Sequence, residues 1–167
     1  MIIDIETTGL NPMDDKIVCI GIVDKNNNTI DLSERGLDDE KQILEEFFNI
    51  AKDEKNLIGF NIKSFDIPFI LKRALINDVI VCENFNGLNI KDCKKIANGF
   101  WYSYNKRAKG KLSDWAKIMG FEVETHNGGH VPKLYEEGKI NEIVNHCIED
   151  LKITRELWNR IKKCNLD

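Results

Sequence analysis

Asp4 and Glu6 flank Ile5 in the opening stretch Met1-Ile2-Ile3-Asp4-Ile5-Glu6-Thr7-Thr8-Gly9-Leu10. The apolar start suits a central β-strand, and on a strand alternate residues share a face. The two carboxylates then project together while Ile5 turns into the core. Like charges held side by side in the middle of a domain are costly unless a cation sits between them. Oxygen-rich sites of this kind suit Mg²⁺ or Mn²⁺, which bind through a few carboxylates and the phosphates of a substrate. Phosphoryl chemistry is the implication. The alternative is a strand end whose Asp and Glu are merely solvated ahead of a Thr-Thr-Gly turn, and these residues alone leave both readings open.

Two later acidic residues have chemical company. Asp66 lies in Gly59-Phe60-Asn61-Ile62-Lys63-Ser64-Phe65-Asp66-Ile67-Pro68-Phe69-Ile70, where a strand ends near Asn61 and a helix begins near Ser64. The helix dipole favours a carboxylate in a first turn, which accounts for Asp66 without any chemistry. His146 and Asp150 are one helical turn apart and share a face. As an exposed pair they would contribute about 0.2–0.5 kcal/mol. Their neighbours Cys147 and Leu151 belong to an apolar stripe, so the pair stands at the border of the buried face, where a helix lining a site presents its residues.

Residues 4–10 resemble the first motif of the DnaQ-like, or DEDD, 3′-to-5′ exonuclease superfamily, residues 61–70 its second, and residues 146–150 its third. The second motif and the stretch Leu134-Tyr135-Glu136-Glu137-Gly138-Lys139 are most similar to proofreading exonuclease domains of family B DNA polymerases and their stand-alone relatives. The resemblance covers essentially the whole chain. It implies an α/β, ribonuclease H-like fold, a mixed sheet flanked by helices, forming a single exonuclease domain over residues 1–167. It also implies that Asp4, Glu6, Asp66 and Asp150 hold two Mg²⁺ or Mn²⁺ ions about 4 Å apart, with Asp4 bridging. Glu6 and Asp150 would complete the ion that activates water, and Asp66 would hold the other. The implied reaction is hydrolysis of phosphodiester bonds at single-stranded 3′ ends, releasing nucleoside 5′-monophosphates. DNA is favoured over RNA on the polymerase-like second motif. An exoribonuclease and a catalytically silent nucleic-acid-binding relative are the alternatives.

His146 departs from the pattern. Relatives with a catalytic His carry it five positions before the final Asp, and those with a Tyr carry it four before; here a His stands at the Tyr spacing. The difference is about 100° of helical rotation. General base, water-orienting group and non-catalytic neighbour are the three readings, and the second is preferred.

For the strand itself, the resemblance points to Thr7, Leu10, Asn61 and Phe65, with Leu10 packing on the terminal base. Residues 100–111 interleave four aromatics with four cations, a combination that stacks bases and tracks phosphates; Trp101, Tyr104, Lys106 and Arg107 are its candidates. Core-capping aromatics in a solvated loop are the plainer explanation. Lys63, Lys72 and Arg73 are further phosphate candidates. Tyr135, His126 and His130 are near enough in sequence to close over the site. A zinc pair at His126 and His130 is disfavoured because Gly and Asn separate them and no Cys is near.

The elements that must carry these residues are readable from periodicity. Residues 16–24 form a near-continuous apolar run, followed by an Asn turn and a shorter strand at 29–32, a hairpin or meander with the first strand. Helices are expected at 39–52, from 64 through 75, at 92–97, at 112–119 with Gly120 as stop, and at 140–161. Residues 79–81 read as a further strand and 133–137 as a helical turn. Composition fits one soluble domain: 42% hydrophobic and 31% charged residues in 167. No basic leader or span of ~20 apolar residues is present, which points to the cytoplasm and away from membrane partners. Five scattered cysteines without a Cys-x-x-Cys pair read as free, buried thiols. A net charge of −4 sits awkwardly with a nucleic-acid partner, unless the acidity belongs to carboxylates reserved for metal ions.

Overall fold

The computed structural model describes residues 1–37, 39–99, 110–122 and 131–167. Its centre is a five-stranded mixed sheet in the order β3-β2-β1-β4-β5. β1 (Ile2–Thr7), β2 (Ile17–Val23) and β3 (Thr29–Ser33) form an antiparallel meander, and β4 (Asn56–Gly59) and β5 (Asn89–Asp92) extend it in parallel with β1. This is the expected α/β arrangement.

The pleat sorts β1 into two faces. Ile3 and Ile5 stand opposite Ile22 and Ile20 and pack with α1 (Glu40–Ala51) and α2 (Asp66–Ile76) in the larger core. Ile2, Asp4 and Glu6 point the other way, towards α6 (Ile140–Lys163) and the short α3 (Cys93–Asn98), α4 (Leu112–Met119) and α5 (Val131–Glu136). A bulge between Glu6 and Thr7 breaks the alternation. Ile17 therefore joins the α1 side, while Val18 and Cys19 both pack against residues of α5 and α6, which is why this strand reads as an unbroken apolar run.

Gly21 explains how α6 comes so close. It stands opposite Asp4, and a Cβ there would lie 2.6 Å from Leu151 Cδ1 and 2.7 Å from Cys147 Sγ. A glycine inside a strand marks such an approach. The stripe on α6 is buried along Ile143, Val144, Cys147, Leu151, Thr154, Leu157, Trp158 and Ile161, as its spacing predicts.

The helix boundaries follow local chemistry. Asp39 caps α1 by accepting from the Gln42 backbone N–H, and Gly120 ends α4 in the left-handed region at φ 83°. α2 stops with Asp78 at φ 53° and the Val79 N–H returning to Ala74 O at 2.9 Å, a Schellman-type closure. That closure corrects the expected strand at residues 79–81. Val79 serves the helix stop, Ile80 is 89% exposed, and the segment is not part of the sheet among the described residues. The edge strand is instead β5, in a polar sequence that alternation alone does not identify.

All five cysteines are free; Cys19, Cys93 and Cys147 are buried, but Cys164 is exposed and Cys82 half-buried. Among the described residues no helix is long and apolar enough to cross a membrane.

Candidate active site

The acidic residues singled out from sequence come from three distant elements and meet at one end of the sheet. Asp4 and Glu6 arrive on β1, Asp66 at the first turn of α2, and Asp150 with His146 on α6. Glu6 and Asp66 are buried at 8% and 4% exposure; Asp4, His146 and Asp150 are half-buried. Ligating atoms of Glu6, His146 and Asp150 lie within 4.8 Å of one another. His146 Nδ1 stands 2.6 Å from Glu6 Oε1, so the imidazole faces the carboxylates despite its unusual spacing.

Crowding sets the electrostatics. Burial, followed by the charges of Asp150, Asp66 and Glu6, holds the Asp4 carboxyl well above its ordinary range. Burial raises Asp66 to about 7, although its own N–H and that of Ile5 work against the rise. Asp150 is raised to about 6, again by burial, with His146 opposing. The hydrogen bond that His146 donates to Glu6 lifts its pKa to about 9 in spite of burial. One imidazole stands among four carboxyl groups. An oxygen-rich, under-neutralised cluster fits hard divalent cations such as Mg²⁺ or Mn²⁺.

The remaining sequence candidates divide. Thr7 is buried and its hydroxyl donates to Gly9 O at 2.6 Å. Leu10 is 83% exposed beside the acidic cluster's strand. Asn61 adopts φ 66°, a left-handed conformation that tends to accompany function, and its Oδ1 accepts from Lys94 Nζ at 3.2 Å. Phe65 is half-buried and packs on Phe69 with ring centroids 5.5 Å apart. Trp101, Tyr104, Lys106, Arg107, His126 and His130 lie outside the described residues.

Two candidates are otherwise engaged. The Arg73 guanidinium is spent on buried Glu40, at 2.6 to 3.2 Å, and on Pro12 O; Glu40 also accepts from the Ile17 N–H and Asn77. This network pins the loop after β1 to α1 and α2, so Arg73 is not a free phosphate ligand. Tyr135 donates to Glu34 at 3.1 Å under the Lys16 ammonium rather than turning to the carboxylates.

Asp92 is the residue that sequence reasoning missed. It is 3% exposed and accepts from the backbone N–H groups of Asn61, Lys63 and Lys95, each at 3.2 Å. Its signal was an ordinary one, an Asp before a short helix, and a helix cap explains the third of those bonds but not the first two.

Comparison with known proteins agrees with this architecture. Residues 1–162 match the RNase H superfamily. An uncharacterised protein of Methanocaldococcus jannaschii is 33% identical over 99% of this chain and 96% of its own length. The family B DNA polymerase of Pyrobaculum calidifontis superposes with a TM-score of 0.78 over 96% of this chain, at 17% identity. This chain spans only 24% of that polymerase, and the likeness is one of fold.

Proposed function

This chain belongs to the RNase H superfamily, and from that premise we propose that it is a divalent-metal-dependent nuclease that shortens single-stranded nucleic acid from the 3′ end. One domain, residues 1–167, would do so, releasing nucleoside 5′-monophosphates. The observation that carries the reading is the convergence of Glu6, His146 and Asp150 within 4.8 Å, with Asp4 and Asp66 close enough for their charges to act on one another and on that group and His146 against Glu6. A structural role would not gather four carboxylates in a buried setting that raises three of them above their ordinary range.

Bound Mg²⁺ or Mn²⁺ supplies Lewis acidity, a more acidic water and neutralisation of the departing oxygen. The residues provide the framework. Asp4, between the charges of Glu6, Asp66 and Asp150, would be the shared ligand; Glu6 and Asp150 would hold an ion on one side of the cluster and Asp66 on the other. With Nδ1 engaged by Glu6, His146 has Nε2 left to face water. A ring whose Nδ1 is held against Glu6 is fixed in place beside the carboxylates, which supports the water-orienting reading. Exposed Leu10, half-buried Phe65 and the turn at Asn61 flank the cluster as surfaces for the terminal nucleotide. DNA is the favoured substrate on the polymerase-like second motif.

The test is degradation of 5′-labelled and 3′-labelled single-stranded DNA and RNA with Mn²⁺, Mg²⁺ or EDTA. Stepwise shortening from the 3′ end, abolished by EDTA and by Asp4→Asn, is the expected result. Internal cleavage would refute the exonuclease reading, RNA-selective shortening would reassign the substrate, and binding without shortening in either metal would make the chain a silent relative.

A further inference from the structure

A second cationic feature lies beside the carboxylates and is not part of them. Asn61, Ser64, Lys94, Lys95, Asn98 and Gly99 line a cavity of about 450 Å³, within the size range of ligand sites. Its described lining holds two cations, two amides and a hydroxyl, and no carboxylate. That is unusual in a chain of net charge −4. Lys94 meets neutral groups, Asn61 Oδ1 at 3.2 Å and the Phe60 ring at 6.0 Å, and forms no ion pair among the described residues.

The walls are held by design. Buried Asp92 fixes the Asn61 and Lys63 backbone on one side and that of Lys95 on the other, and it is close enough to Asp66 for its charge to act on that carboxyl. One side chain thus ties the cavity's opposite walls together and sets them next to a carboxylate of the cluster. Asn98 donates to Gly110 O at 3.3 Å, closing the far side. Strain at Asn61, φ 66°, is maintained by the same bonds.

We propose that this cavity is a backbone-phosphate subsite, in which Lys94 and Lys95 hold a phosphodiester of the single strand behind the nucleotide being removed. The assignment rests on the nuclease reading for the identity of the strand, but its own evidence is a cavity whose described lining carries two lysines and no carboxylate. Lys94, Lys95 and Asn61 meet a phosphate with two cations and an amide, while a neutral ligand would leave both charges unanswered.

The experiment measures binding of a fluorescent single-stranded DNA to the full chain with Ca²⁺ as the metal, over a series of salt concentrations. Lys94→Gln/Lys95→Gln is compared with Lys41→Gln/Lys162→Gln, which removes the same charge elsewhere. Each single-strand phosphate contact contributes about 0.7 to the slope of log affinity against log salt. The cavity variant, which loses one phosphate contact, is therefore expected to flatten that slope by roughly 0.7, with the control unchanged and thermal melting confirming that both fold. A single uncharged methylphosphonate walked inward from the 3′ end should reproduce the loss at one internal position. Equal slopes for the two variants overturn the subsite while leaving the nuclease reading intact. A strand that binds through Lys94 and Lys95 but is never shortened in Mn²⁺ keeps the subsite and refutes the nuclease; a loss matched by the terminal phosphate alone, or competed fully by a free mononucleotide, makes the cavity a product site and overturns the proposal.

Discussion

Removing the charge of Asp4 should kill the activity and strengthen the metal-free fold at once. Asp4→Asn takes one of four repelling carboxylates out of a buried cluster, and is expected to add on the order of 1–2 kcal/mol, or roughly 2–8 °C in Tm, in EDTA at pH 8. A lower Tm in that buffer would contradict the electrostatic account. The pH dependence has a definite sign. Asp66 and Asp150 rise from 3.8 to about 7 and about 6, so the folded state binds protons more tightly than the unfolded chain. The stability they contribute is complete below the unfolded value and is lost as pH climbs through the folded ones. His146, raised from 6.5 to about 9, extends the fall in the same direction. Thermal scans in EDTA should thus show Tm decreasing from pH 5 to pH 9, and the gain on adding Mn²⁺ should be larger at pH 8 than at pH 5. His146→Ala is expected to lower kcat about 100-fold or more, with a smaller effect on KM; an unchanged kcat would leave the imidazole without a part in the reaction. Sequence could nominate these residues because motif spacing survives folding. It could not foresee Nδ1 against Glu6, since that contact joins residues 140 positions apart and depends on how α6 lies on the sheet.

At the scale of elements, the position of α6 hangs on Gly21. Gly21→Ala would put a Cβ against Leu151 and Cys147 and push the helix outward, an overpacking that costs about 1–3 kcal/mol. Activity should fall more than stability, because the same displacement carries Asp150 and His146 away from β1. Chemical denaturation and turnover measured on one preparation would separate the two effects, and a variant weakened only in stability would show that the site tolerates the shift. The Glu40–Arg73 pair is an independent anchor. It is nearly buried, and Arg73→Ala, which strands the carboxylate, is expected to destabilise by roughly 3–5 kcal/mol. Elements that bury one continuous stripe, α1, α2 and α6, were legible as sequence because their periodicity and their burial coincide. Residues 79–81 and β5 were not. Val79-Ile80-Val81 has the composition of a strand but follows a helix stop, whereas Asn89-Ile90-Lys91-Asp92 is paired only because β4 offers an open edge. Strand formation of that kind is decided by the neighbour more than by the residues.

For the molecule as a whole, acidity and nucleic-acid binding are reconciled by where the charges lie. Four carboxyl groups gather at one site and two lysines line the cavity next to it, so on the proposed function divalent ions should improve strand affinity by lifting the local repulsion. Binding measured in Ca²⁺ should exceed that in EDTA several-fold, and the ratio should shrink in Asp4→Asn. The overall architecture was readable from the order of strands and helices together with the three motifs; the two-sided arrangement around Asp92 was not, because backbone N–H donors leave no mark on composition. The order of the elements along the chain also has a temporal side. Asp4, Glu6 and Asp66 are delivered early, but Asp150 and His146 ride on the last helix. A ribosome adding about 5–20 residues per second takes roughly 10–30 s to travel from Glu6 to that helix. Throughout that interval the nascent chain lacks Asp150 and His146, so on the proposed function no competent site stands beside ribosomal RNA and messenger until the last helix is made.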